Sequence, residues 1–269
     1  CTIYMEIIGY ISAILIGISL GLVGSGGSIL TVPVLVYLMS VDPLLATTSS
    51  LFIVGFTSLI GGIRAYSKKQ LDYRAVTEFG FPSVLSIFIT RHNLLPAIPD
   101  TIFTTGGFTV TKNMLLMLIF AVLMLLASWS MIRSRENIKL VKAKEGGARV
   151  FPLMIFGLLI GVVTGLLGAG GGFLIIPTLV LFLGLDMKTA VGTSLLIIAI
   201  NSLFGFLFSL NHFSFNWMLL LSFTLLSAGG LFIGSHFSDK ISPASLKKGF
   251  GWFILIMGIF VIVRELFLS

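Results

Sequence analysis

Long apolar runs alternate with short polar breaks along this chain, and the runs have the length that spans a lipid bilayer. The first run extends from about Tyr4 to Val23, breaks at Gly24 to Ser28 and resumes to about Met39. After the turn at Asp42-Pro43, further runs cover about Leu44 to Ala65, Tyr73 to Thr90 and Asn113 to Ile132. A polar stretch from Arg133 to Arg149 follows, and the plan then repeats. A broken run covers Phe151 to Leu183, and unbroken ones cover about Met187 to Leu210, Asn216 to Phe237 and Leu246 to Phe267. Because a helix needs about 20 residues to cross the hydrocarbon layer, the pattern predicts an all-α polytopic membrane protein with about eight transmembrane helices. The segment from Arg91 to Gly107, with Pro96, Pro99 and Gly106-Gly107, is too broken for a helix.

The repetition is visible residue by residue. Gly21-Leu-Val-Gly-Ser-Gly-Gly-Ser-Ile-Leu-Thr-Val-Pro33 recurs, displaced by 144 residues, as Gly165-Leu-Leu-Gly-Ala-Gly-Gly-Gly-Phe-Leu-Ile-Ile-Pro177, with seven of thirteen positions identical. The register continues without a gap: Asp42 falls on Asp186, Ala46 on Ala190, Ser50 on Ser194, Ser58 on Ser202 and Gly61 on Gly205. This is an internal duplication. It divides the chain into an N-terminal repeat over residues 1–132, a basic linker over 133–150 and a C-terminal repeat over 151–269. Each repeat is expected to hold four helices, the first interrupted at its glycines, where helix propensity is poor. Four crossings per repeat make the halves parallel. If the glycine breaks are instead re-entrant hairpins, the count becomes odd and the halves invert.

Composition narrows the class. With 57% hydrophobic and 10% charged residues, the chain cannot hide its apolar surface in one water-soluble core. The net charge of +7 sits mainly in two loops, one with Arg64, Lys68, Lys69 and Arg74, the other the linker. Such clusters read as cytoplasmic topology signals beside an anionic leaflet rather than as a nucleic-acid surface. The single cysteine, Cys1, permits no intrachain disulfide or thiolate metal cluster, and the three histidines have no ligand spacing, so no metal site is expected. The glycine runs lack the Gly-Lys-Ser/Thr of a phosphate-binding loop, and no catalytic dyad is present. The sequence thus offers no enzyme and no cofactor site.

The candidate chemistry lies at the breaks. Matched Gly-interrupted apolar segments in two halves point to a transporter's binding site. A half-helix that starts inside the membrane presents amide N–H groups and the positive end of its dipole, which attract anions. The candidate substrate-binding residues are therefore Gly24, Ser25, Gly26, Gly27 and Ser28 in the first copy, and Gly168, Ala169, Gly170, Gly171 and Gly172 in the second. The bland alternative is close helix packing through small residues. Hydroxyl and amide groups at Ser49, Ser50, Thr193, Ser194 and Asn201 could replace water around a small polar solute. They equally suit interhelical hydrogen bonds or bonds to the i−4 carbonyl. Arg91 carries a planar fork that matches sulfonate, sulfite or carboxylate oxygens, or else it snorkels to the headgroups. Asp42 and Asp186 suit helix N-caps.

The two Gly-x-Gly-Gly segments, the proline after each, the Ala-x-x-Ser/Thr-Ser stretches at Ala46 and Ala190, and the Gly229 to Ser235 run together resemble the TauE/SafE family. The family's first-half pattern is replaced here by Arg91-His92-Asn93 and the Pro96 to Pro99 segment. The resemblance implies a bacterial inner-membrane protein that exports or imports sulfite, sulfonates or related sulfur-containing anions. It also implies an ion gradient as driving force, with H+ or Na+ as coupling partner beside the anionic substrate and the lipid bilayer. The alternative from another class is an anion channel or membrane scaffold whose glycines serve packing alone.

Overall fold

The computed structural model describes residues 2–105, 108–133, 150–210, 213–237 and 243–267. The linker between the repeats lies, at 134–149, outside the described residues. The described chain is helical throughout except for one hairpin. In order, α1 is Thr2–Val23, a 3-10 turn covers Ser25–Leu30, and α2 is Thr31–Tyr37. Helices α3 (Pro43–Ser67) and α4 (Tyr73–Ile89) follow, then a π-helical turn at Thr90–Leu94 and the short α5 (Leu95–Ala97). Strands β1 (Thr101–Thr105) and β2 (Phe108–Thr111) pair antiparallel and lead into α6 (Lys112–Arg133). The second half comprises α7 (Val150–Leu167), α8 (Gly172–Leu183), α9 (Met187–Leu207), α10 (Trp217–Phe237) and α11 (Pro243–Phe267).

Helix starts follow local chemistry. Asp42 accepts from the amides of Leu44 at 2.9 Å and Leu45 at 3.3 Å, with Pro43 opening α3. Asp186 accepts from the amide of Thr189 at 3.1 Å and starts α9. Both aspartates are the caps expected of them. Helices α3, α6, α9 and α10 are each long and apolar enough to span a membrane, while the apolar helices at 7–22, 27–37 and 151–167 are shorter.

The glycine breaks do not continue their helices; they reverse them. Gly27 backs onto Ile16 and Leu20, and Met39 packs against Gly9, so the 3-10 turn and α2 run back along α1. In the second half the Phe182 ring lies 4.8 Å from Phe156, so α8 likewise returns along α7. This corrects the expectation of eight crossings in two four-helix halves. Among the described residues there are ten helices of seven residues or more, five on each side of the linker, plus the short α5 and a two-stranded hairpin that an all-α reading did not include.

The reversal also decides the relative direction of the halves. Gly17 and Gly21 of α1 back onto Ser227 and Leu231 of α10, so these two helices run parallel. Gly157, Gly161 and Gly165 of α7 meet Phe79, Ser83 and Thr90, so α7 runs with α4 and on into its π-helical turn. Gly55 and Gly62 of α3 back onto Leu203 and Leu196 of α9, so α3 and α9 run antiparallel; α4 and α10, which follow them, then point oppositely, α1 and α7 do too, and the halves are inverted rather than parallel. The main packing pairs are α1 with α10, α4 with α7, α3 with α9 and α6 with α11. Exchange of each helix for its counterpart in the duplication maps the first two pairs onto each other and the last two onto themselves. That is an approximate twofold.

One face of the bundle carries Asp42, which accepts from Asn113 Nδ2 at 2.8 Å, and the hairpin. The other carries the α3–α4 loop with Lys69, tied to the start of α9 by a 2.9 Å bond from the Asp72 amide to Thr193 Oγ1. These are called below the Asp42 face and the Lys69 face. At the Asp42 face Tyr37 donates to Glu265 at 2.8 Å and lies under the Arg264 guanidinium, which fastens the end of α2 to α11.

Candidate functional site

The two breaks approach the α3–α9 pair from opposite ends. At the second, Gly168 lies so close to the carbonyl of Thr47 in the second turn of α3 that no Cβ fits. Ser50, one turn on, donates to the Gly168 carbonyl at 2.7 Å. Gly170 lies deeper: a Cβ there would stand 2.9 Å from Ile198 Cγ2, 3.2 Å from Ser202 Oγ and 3.2 Å from Val54 Cγ1. Its φ of 66° is left-handed, a conformation that glycine adopts without strain, so the bare backbone is brought against both helices. Ala169 is buried. Gly171 caps α8, and Gly172 opens its twelve residues of aligned peptide dipole.

At the first break Gly24 lies against Val191 of α9 and Ile176 of α8, and the 3-10 turn packs on α8. Each break therefore meets the first or second turn of the other half's central helix. Gly27 is occupied in closing the hairpin onto α1, and Ser28 is fully buried. Ser25 and Gly26 belong to the 3-10 turn; the Ser25 hydroxyl lies outside the described residues.

Polar groups collect along α3 and α9. Ser58 and its repeat counterpart Ser202 are fully buried, and among the described residues neither hydroxyl has a hydrogen-bond partner. Asn201 Nδ2 donates to Ser83 Oγ at 2.7 Å, while its buried Oδ1 has no partner among the described residues. Thr164 Oγ1, which faces Gly171, is a fourth such orphan. A buried polar atom without a partner costs about 1–3 kcal/mol. Two of these atoms, Ser202 Oγ and Thr164 Oγ1, lie against the buried backbone of Gly170 and Gly171 at the second break.

Arg91 stands in the π-helical turn at the end of α4, a local widening that often accompanies functional sites. It is 4% exposed. Its Nη1 donates to Thr48 Oγ1 at 2.8 Å and to Ser209 Oγ at 3.4 Å, while Nε and Nη2 are buried and have no partner among the described residues. Thr48 adjoins Thr47, against which Gly168 is pressed, so the guanidinium sits at the Asp42-face end of the second break. A guanidinium held by two neutral hydroxyls is an uncompensated positive charge.

Not every residue singled out in the sequence joins this group. Thr193 Oγ1 is taken by Asp72 in fastening the α3–α4 loop, Ser194 donates to the Val191 carbonyl at 2.8 Å in its own helix, and Ser49 is buried on α3. Ser83, Ser209 and Thr164 enter only through the tertiary structure. Each lies on an apolar helix or at its end as an isolated hydroxyl, with no spacing to distinguish it.

Residues 10–261 match the family model described as Sulfite exporter TauE/SafE. The chain belongs to the TauE/SafE family. It is 29% identical over 260 residues to a "Probable membrane transporter protein" of Xylella fastidiosa (strain Temecula1), covering 93% of this chain and 92% of that one. It is 26% identical over 265 residues to the "Probable membrane transporter protein YunE" of Bacillus subtilis, with 89% of each covered. A "Probable membrane transporter protein" of Methanocaldococcus jannaschii is 23% identical over 270 residues, with 93% of this chain and 94% of that one covered. No solved structure matches. As a TauE/SafE member the chain is a multi-pass membrane transporter and not an enzyme.

Proposed function

We propose that this TauE/SafE protein is a secondary transporter of sulfite, a sulfonate or a related small sulfur-containing anion in the bacterial inner membrane. Arg91 carries the reading. A cation buried to this degree, with two of its three nitrogens unpartnered among the described residues and only hydroxyls for company, is stabilised by a visiting anion. The left-handed Gly168 and Gly170, the α8 dipole and the hydroxyls of Ser58 and Ser202, unpartnered among the described residues, support a path for that anion between the breaks. Small oxyanions of sulfur present several hydrogen-bond acceptors to such donors, and the family's description as sulfite exporters supports sulfite as the first substrate to test.

The inverted arrangement supports alternating access. One half would rock on the other about the α3–α9 contact between them, around which both breaks fold, and so exchange which face is open. Coupling to H+ or Na+ would supply the drive. Arg64, Lys68, Lys69 and Arg74 all lie at the Lys69 face, and with inversion Lys188 and Lys248 join them, so the charge rule makes that face cytoplasmic.

Purified protein in liposomes, given radiolabelled sulfite, tests the reading. Saturable flux that is lost in Gly170→Leu and Arg91→Gln, both still monodisperse, is the expected result. Flux that does not saturate, or that survives both substitutions, overturns the carrier in favour of a channel or a packing scaffold.

A further inference from the structure

The approximate twofold pairs Arg91 with Ser235 in the repeat register. Ser235 is not alone at that place: Arg64, from the last turn of α3, donates through Nη1 to Ser235 Oγ. The comparison with the Asp42 face is direct. There a guanidinium at the end of α4 meets Ser209, just past the end of α9. At the Lys69 face a guanidinium at the end of α3 meets a hydroxyl near the end of α10. Helices α3 and α9 are counterparts, as are α4 and α10, and Ala65, the neighbour of Arg64, is the counterpart of Ser209. An arginine–serine pair thus stands at each end of the bundle, with the two side chains exchanged between the paired helices.

The surroundings are exchanged in the same way. Gly165 backs onto Thr90 beside Arg91, and its counterpart Gly21 backs onto Leu231 and Ser235. The two ends differ in access. Arg91 is sealed in, whereas Arg64 and Ser235 are only half-buried. Duplication alone explains a repeated serine. It does not explain a guanidinium returned to the same place from a different helix, since the counterparts of Arg91 and Arg64 are Ser235 and Phe208.

We propose that Arg64 and Ser235 form a second oxyanion-binding station, at the Lys69 end of the path, which takes the same sulfur oxyanion that Arg91 takes at the Asp42 end. This rests on the transporter reading above. The guanidinium donates to the anion's oxygens in the open state of that face, and Ser235 Oγ holds the fork in place when the station is empty.

The test uses proteoliposomes in which Cys1→Ser and Lys69→Cys allow one orientation to be silenced with an impermeant thiol reagent. Benzenesulfonate, a bulky arylsulfonate, is added on one side only, and the concentration that halves sulfite flux is measured. We expect wild-type protein to be inhibited from the Lys69 face. Arg64→Gln raises the half-inhibiting concentration from that face by about tenfold, the loss of one charge-assisted hydrogen bond, and changes it less than about twofold from the other. Arg91→Lys, which keeps a measurable flux, does the reverse. Arg64→Lys keeps the charge that orients the chain in the membrane but not the planar fork, and gives an intermediate value. Equal changes from both faces, no change from either, or a wild type insensitive from the Lys69 face overturns the second station alone. A wild type without saturable sulfite flux removes the transporter reading and the station with it.

Discussion

Arg91 is the residue on which local chemistry and function meet. Its Nη1 is committed to Thr48 and Ser209, and its other two nitrogens are buried without a partner among the described residues. Arg91→Lys should therefore weaken transport more than a charge-conserving change usually does, because an ammonium cannot keep both hydroxyls and also present a fork. We expect the sulfite KM to rise by about tenfold, in keeping with the roughly 1.5 kcal/mol of one hydrogen bond to a charged group; concentration-dependent uptake measures it. Asn201 differs, since its amide is spent on Ser83 while its carbonyl is unpartnered. Asn201→Asp should be destabilising by several kcal/mol, as it buries a new carboxylate and loses the donor to Ser83, and a lowered thermal midpoint in detergent would record this. At the membrane edge, hydrogen bonds from Thr189 hold the exposed Asp186 carboxylate below the usual range. A depressed carboxylate adds stability that is complete above its unfolded pKa of about 4 and is lost as pH falls through the lower folded value. Asp186→Asn keeps the cap and should flatten the pH dependence of the thermal midpoint below about pH 4.

Among the helices, glycine does two jobs that its spacing does not separate. In α10, Gly229 and Gly230 are neighbours, yet a Cβ on Gly229 meets nothing within 4 Å while one on Gly230 runs into the Ile14 carbonyl of α1. Gly229→Ala should be neutral or mildly stabilising, by up to about 1 kcal/mol of helix propensity. Gly230→Ala should force α1 and α10 apart and lower the thermal midpoint; equal behaviour of the two variants would contradict the packing described. The glycines of the breaks act differently again. Pro33 lies in the first turn of α2, where a missing amide costs little, whereas Pro177 lies well inside α8. The sequence pattern located each interruption to within a residue or two. Whether the chain ran on or turned back was illegible, because Gly24 and Gly168 satisfy either path and only the contacts of Met39 with Gly9 and Phe182 with Phe156 distinguish them.

For the whole molecule, the turned-back hairpins make the halves inverted, and inversion sends every loop of the second half to the side opposite the one a parallel arrangement gives. In a Cys1→Ser background, single cysteines at Lys69 and Lys188 should be modified by an impermeant reagent from the same side of the membrane. Cysteines at Asp100 and Asn216 should react from the other. Modification of Lys69 and Lys188 from opposite sides would restore the parallel arrangement. Arg64 and Arg91 stand on opposite faces because the consecutive helices α3 and α4 run antiparallel; inversion brings Ser235 and Ser209 of the second half to meet them there.

The sequence by itself determined the membrane class, the duplication, the extent of nearly every helix and the two places where helix gives way, because hydrophobic run length, glycine and proline act over a few neighbouring residues. It also gave the caps at Asp42 and Asp186 and the family. The tertiary structure alone decided the direction of the hairpins, the inverted halves and the fate of each polar residue. Thr193 and Ser194 hydrogen-bond to Asp72 and Val191, while Ser202, beside Gly170, and Asn201 and Arg91 keep atoms without a partner among the described residues. The reason is physical: a buried hydroxyl or guanidinium takes its role from whichever donors and acceptors the packing of distant helices brings within about 3 Å of it, and that is not encoded in the residues on either side.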